Sequence, residues 1–138
     1  MCVNKNHPEE NWISIILRIL MISLFAPAAA DKFMGGLDNV VVRFTTMFQD
    51  TLLPNSLVVL HARLIPWAES LLVIWLLVGF RLRAGWIYTA FVSLSLAFGM
   101  VVAKQYAIAM GNYVYVVIAC MGIYFSRYDQ CVIGGKKK

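Results

Sequence analysis

The chain has little of what most soluble chemistry is built from. Its three cysteines, Cys2, Cys120 and Cys131, form no C-x-x-C pair and have no histidine at ligand spacing. That pattern argues against a zinc or iron–sulfur centre and against a disulfide framework. There are only two histidines, His7 and His61, and no glycine-rich nucleotide-binding motif. Charged residues make up 14% of the chain, against about 25% in an ordinary soluble domain. The charge that is present is mostly positive, net +5. The basic residues form no stripe interleaved with aromatic stacking platforms, so a nucleic-acid partner is not expected.

What fills the space is apolar. Hydrophobic residues account for 61% of 138 positions, too many for one buried core of this length, so the chain reads as an integral membrane protein. Four segments approach the roughly 20 residues needed to cross about 30 Å of hydrocarbon: 13–30, 57–80, 84–103 and 107–126. The fourth has an open start, because Gly111-Asn112 either begins a helix or finishes a turn. The expected fold is all-α, a single membrane domain over 1–138 built as a four-helix bundle.

The first span ends in "FAPAAADKFMGG", which imitates a signal-peptidase site after Ala30. Glu9 and Glu10 spoil the basic start of a signal peptide and Arg18 interrupts its apolar centre. The segment is therefore expected to stay as a membrane helix, with Asp31-Lys32 at its exit. Between spans one and two, Val40, Val41, Phe44, Met47, Phe48 and Leu52 recur with a helical period opposite Arg43, Thr45, Thr46, Gln49 and Asp50. This predicts an amphipathic surface helix over about 39–53, with Asp38 as N-cap and Pro54 as stop, lying on the membrane or capping the bundle.

With four spans, both termini share a side with the 81–83 turn. That side carries Lys5, Arg18, Arg81, Arg83, Arg127 and Lys136 to Lys138, and the other carries Lys32, Arg43, Arg63 and Lys104. The positive-inside rule then places both termini in the cytoplasm of a bacterial inner membrane. Trp12, Trp86 and Tyr128 are expected at the inner interface. The basic tail 127–138, with Lys136, Lys137 and Lys138, is expected to be drawn to anionic headgroups by about 1 kcal/mol per lysine. Cys120 is expected to pack as a small hydrophobe, and Ser95 with Gly99 to allow close helix contact.

Ionisable groups inside a bilayer are costly and face the bundle interior or a polar cavity. Glu69 is the most informative, since it lies eleven residues before Phe80, near the middle of the second span, with the helix breaker Pro66 one turn earlier. Arg18 in the first span is the expected partner. Two readings of that pair stand side by side: a clamp that fixes packing, or a carboxylate that binds a polar headgroup or relays a proton. Arg63, on another helix face near the outer boundary, is expected to snorkel outward.

Arg18 in the first helix, Ala29 and Lys32 at its outer end, a connection closed by Pro54, and "AESLLVIWLLVGFRLRAG" with Glu69, Gly79, Arg81 and Arg83 form a layout over residues 14–103. It resembles the DoxX-like family of small four-helix bacterial membrane proteins, departing from it at Ala29 and at Pro66-Trp67. The resemblance implies a subunit of a membrane redox complex, of the thiosulfate:quinone oxidoreductase small-subunit type, with other subunits as partners. A quinone would need an apolar slot with a polar end, and Arg18, Lys32, Glu69 and Arg63 are the candidate pocket residues. No intrinsic cofactor is expected, so any enzymatic role would belong to the whole complex. Two further readings are a non-catalytic structural or assembly subunit and, with less support, a small transporter, against which stands the lack of paired broken helices.

Overall fold

The computed structural model describes residues 8–129. They form five helices: α1 Pro8–Met34, α2 Leu37–Met47, α3 Asn55–Val78, α4 Leu82–Val102 and α5 Tyr106–Phe125. No strand occurs among the described residues. α1, α3, α4 and α5 are each long and apolar enough to cross a membrane, and the protein is a multi-pass helical membrane protein. The expected spans are thus met, with ends shifted by up to five residues. Gly111 and Asn112 fall inside α5, whose first residue is Tyr106.

The four long helices form a ring. α1 packs closely on α3 and α4 on α5, and looser seams join α3 to α4 and α1 to α5. The main core runs through all four, with Met21, Phe25, Leu72, Leu76, Trp86 and Leu96 at its centre. Two glycines set the closest approaches. A Cβ on Gly85 would lie 3.1 Å from the Trp75 ring, and one on Gly122 would fall within the Trp86 indole. Trp86 is therefore not an interfacial anchor as the sequence suggested; it is fully buried, because Gly122 leaves a notch for it. Ser95 is exposed and Gly99 faces Phe48 of α2, so the expected small-residue contact lies elsewhere. On α5 the buried residues are small, Ala109, Ala119 and Gly122. Cys120 is exposed on the outside of that helix rather than packed within the bundle.

α2 is shorter than the periodicity predicted and its ends differ. It starts after Gly36, whose φ of +86° is a conformation glycine adopts without a Cβ penalty. Asp38 is not the N-cap but sits in the first turn, where its charge still faces the positive end of the helix. The helix stops at Met47, well before Pro54. Thr45 and Thr46 turn their hydroxyls onto the Val41 and Val42 carbonyls, and Thr51 closes a turn on the Phe48 carbonyl. Pro54 instead occupies the N-cap position of α3. α2 covers the bundle end by burying Val40, Phe44 and Phe48 against Val58, Ala62, Met100 and Ala109.

The levels of the helices are uneven. Lys32, in the last turn of α1, meets Glu69, fourteen residues into α3. α3 therefore continues for about 21 Å beyond that level, and α2 packs along this upper half. Cys2, His7, Lys5, Cys131, Lys136, Lys137 and Lys138 lie outside the described residues, and the expectations for them stay at that.

Candidate functional site

Arg18 and Glu69 are each paired, but not with one another as the sequence suggested. Arg18 does not reach Glu69. Its guanidinium lies at the opposite end of the bundle, where Nε and Nη2 donate to the Leu76 carbonyl at 3.0 and 2.7 Å and Nη2 also to the Leu77 carbonyl at 3.2 Å. These carbonyls belong to the last turn of α3, which has no intrahelical donors for them because the chain turns at Gly79 in a left-handed conformation, φ 70°. Nη1 lies 3.2 Å from Asp129, whose carboxylate also accepts from Ser14 Oγ at 3.0 Å. The Asp129 side chain is fully buried. Arg18 thus ties α1, the end of α3 and the segment after α5 together. Asp129 was missed because it sits in a tail read as basic; a single carboxylate just past the last span, level with an intramembrane arginine, was the available signal.

Glu69 instead faces Lys32. The ammonium Nζ lies 2.5 Å from both carboxylate oxygens. Glu69 is 3% exposed and Lys32 24%, so the carboxylate is the inner member and the ammonium stem leads outward. The geometry has a local cause. α1 ends one residue past Phe33, which packs edge-on against Trp67 of α3 at 5.1 Å between ring centroids, and this fixes Lys32 at the level of Glu69. Pro66 is buried in the turn before Glu69, and Ser70 Oγ takes its carbonyl at 2.8 Å.

The pair lines a cavity of about 320 Å³ bounded by all five helices. Its inner wall is buried and apolar, with Phe25 from α1, Val40 and Phe44 from α2, and Leu96 and Met100 from α4. Its more exposed lining residues, Ala28, Arg43, Ile108 and Asn112, lie on α1, α2 and α5, which places the mouth at the loose α1–α5 seam under α2. Tyr115 stands on the α5 wall with its ring edge-on to Phe25 at 6.0 Å. The chamber therefore offers one ion pair, an amide, a phenol and a rim guanidinium within an otherwise hydrocarbon surface. Such a site holds an apolar molecule by its body and orients it by a few polar contacts.

Of the four residues expected in a pocket, the structure brings Lys32 and Glu69 together in this cavity. It sends Arg18 to the far end, and leaves Arg63 exposed on α3 and outside the lining. Arg43, Asn112 and Tyr115 were not singled out. Asn112 and Tyr115 stand at i and i+3 on one face of α5, and a lone amide in an apolar helix was the signal for that face. No cluster of histidine, cysteine, aspartate or glutamate suited to a metal ion occurs among the described residues.

No curated protein matches the chain. No solved structure matches it either. The DoxX-like resemblance is overturned by a match to a different family. It rested on a short string of charges and glycines between apolar runs, and runs of that kind resemble one another across many membrane helices; Arg18 and Glu69, its two best markers, do not share a site. A family model described as methylamine utilisation protein MauE matches residues 10–120, most of the chain, and the chain therefore belongs to the MauE family.

Proposed function

We propose that this protein is a membrane-embedded accessory component of a redox pathway, of the kind implied by its family's description as a methylamine utilisation protein, and that its cavity takes the head of a quinone-class ligand. The observation that carries the reading is the Lys32–Glu69 pair, held at the end of an apolar chamber that opens between α1 and α5. The residues fit the group. Phe25, Phe44 and Tyr115 supply flat walls for a ring, and the Lys32 ammonium, the Asn112 amide and the Tyr115 hydroxyl are donors for its carbonyl oxygens. A bound quinone would supply electron acceptance at the membrane. The chain's own part is to bind and orient the head, with Glu69 holding the ammonium in place. Use of a methylamine nitrogen compound proceeds through oxidation at carbon, so an electron acceptor in the membrane suits such a pathway.

The arrangement of charge further supports both termini facing the cytoplasm of a bacterial inner membrane, with the α2 end outward; reporter fusions at either terminus and in the α2–α3 connection test that orientation. The binding reading is tested with the purified full chain and decylubiquinone, followed by quenching of tryptophan fluorescence. Lys32→Met and Glu69→Gln are expected to weaken binding at least tenfold while the protein stays helical and monodisperse. Unchanged binding in both variants would sink the quinone reading and leave a structural or assembly role in a larger membrane complex.

A further inference from the structure

A second site lies on the other side of Phe44, whose ring forms a wall of the Lys32–Glu69 cavity and also of a groove between α3 and α4. This groove, of about 300 Å³, is almost wholly apolar. Leu57, Leu60 and Leu64 line it from α3 and Phe98 from α4, all more than half exposed along the membrane-facing side. His61 and Ser95 are the polar side chains of its lining among the described residues. At the α2 end it adjoins a second hollow of about 420 Å³, and the two share Phe48, Leu53 and Val58 as walls.

The second hollow has the opposite chemistry. Thr45, Gln49 and Asn55 supply its polar lining, and no charged side chain is part of it among the described residues. The side-chain amides of Gln49 and Asn55 make no intramolecular hydrogen bond among the described residues. An amide offers both donors and an acceptor, which matches hydroxyl groups. A phosphate there would find no cation among the lining side chains to pair with. A polar, uncharged hollow that shares its walls with a hydrocarbon groove therefore has the polarity profile of a neutral lipid.

We propose that the α2–α3–α4 face binds a glyceride-type lipid with an uncharged, hydroxyl-bearing head. The head sits among Thr45, Gln49 and Asn55, and an acyl chain runs down the Leu57–Leu60–Leu64 groove. His61, one turn below Val58, is placed to donate to an ester carbonyl where head and chain meet. Gly99 keeps the groove open: a Cβ there would meet Phe48 only at 3.7 Å, so a larger side chain fits without backbone strain and fills the groove.

The test uses the full-length chain in nanodiscs of phosphatidylcholine containing either dioleoylglycerol or dioleoyl phosphatidylglycerol at equal fraction, with retained lipid measured by native mass spectrometry. Wild-type protein is expected to retain the diacylglycerol at least fivefold over the anionic lipid. Gln49→Leu, in the exposed turn just after α2, removes head contacts, and Gly99→Leu fills the groove; each is expected to reduce retention at least fivefold while decylubiquinone binding persists. Preference for the anionic lipid, or equal retention by wild type and both variants, overturns the proposal. Because Gln49 is exposed, that variant keeps the test decisive if Gly99→Leu fails to fold.

Discussion

At the scale of single residues, the charges show how much a partner matters in a medium of low dielectric. Removing one member of a buried ion pair costs about 3–5 kcal/mol, while replacing both by apolar groups is often neutral. Glu69→Ala leaves the Lys32 ammonium facing Phe25 and Leu96, and is expected to fall at the low end of that range because Lys32 is partly exposed. The double variant Lys32→Met/Glu69→Leu is expected to recover most of the lost stability but not the ligand binding. Denaturant titration in detergent, run beside the binding assay, separates the two. For Arg18 the need is geometric. Its planar fork serves two carbonyls and a carboxylate at once. Arg18→Lys is expected to restore less than half of the stability lost in Arg18→Leu, read as Tm, because a compact ammonium cannot reach all three acceptors.

At the scale of elements, packing of α4 on α5 turns on one position. Gly122→Ala drives a methyl into the Trp86 indole and is expected to destabilise by about 1–3 kcal/mol through forced movement of that ring. Gly111→Ala is the natural control, since its Cβ would meet only the Tyr115 hydroxyl at 3.9 Å. It is expected to stabilise by up to about 1 kcal/mol through helix propensity. Thermal unfolding of both variants in one detergent gives the comparison. The existence of all five helices was legible in the sequence, because hydrocarbon thickness sets span length and the α2 stripe has a clear period. Helix rotation was not legible. Whether Glu69 faces Arg18 or Lys32 depends on which side of α3 each neighbour occupies and on where α1 stops, and a uniformly apolar helix gives no stripe from which to read its inward face. The ends of α2 were hidden for another reason: Thr45, Thr46 and Thr51 hydroxyls compete for backbone carbonyls, and no propensity scale fixes where that competition ends the helix.

At the scale of the whole molecule, two tight helix pairs meet along looser seams, and one face of α5 is left outside. Cys120 lies on that face and five residues before the helix end. In sealed vesicles carrying Cys2→Ser/Cys131→Ser protein, Cys120 is expected to resist a charged maleimide and to react once detergent is added, because a charged reagent is excluded from hydrocarbon. Rapid labelling in intact vesicles would show instead that α5 borders water. Both hollow sites open at the loose seams, and the tight pairs frame them. The quinone-class and lipid proposals therefore draw on the same architectural property while using different walls.

The small residues on the inner side of α5 have a consequence for how such a helix stores its information. In a soluble protein, polarity separates the inside of a helix from the outside. Here both sides are apolar, and bulk separates the fully buried positions from the rest: Ala109, Ala119 and Gly122 are buried, Tyr115, Ile118 and Ile123 pack at the edge of the core, and Tyr106, Tyr113, Val114, Val117 and Met121 face out. The fully buried positions of α5 carry little bulk, so its register against α4 leans on the points where large side chains interlock. The indole seated at Gly122 is the tooth that sets the vernier. Substitutions over the outer surface should drift freely in size, whereas a single added methyl at the notch resets the alignment of the whole helix and, with it, the height at which Asn112 and Tyr115 meet the cavity.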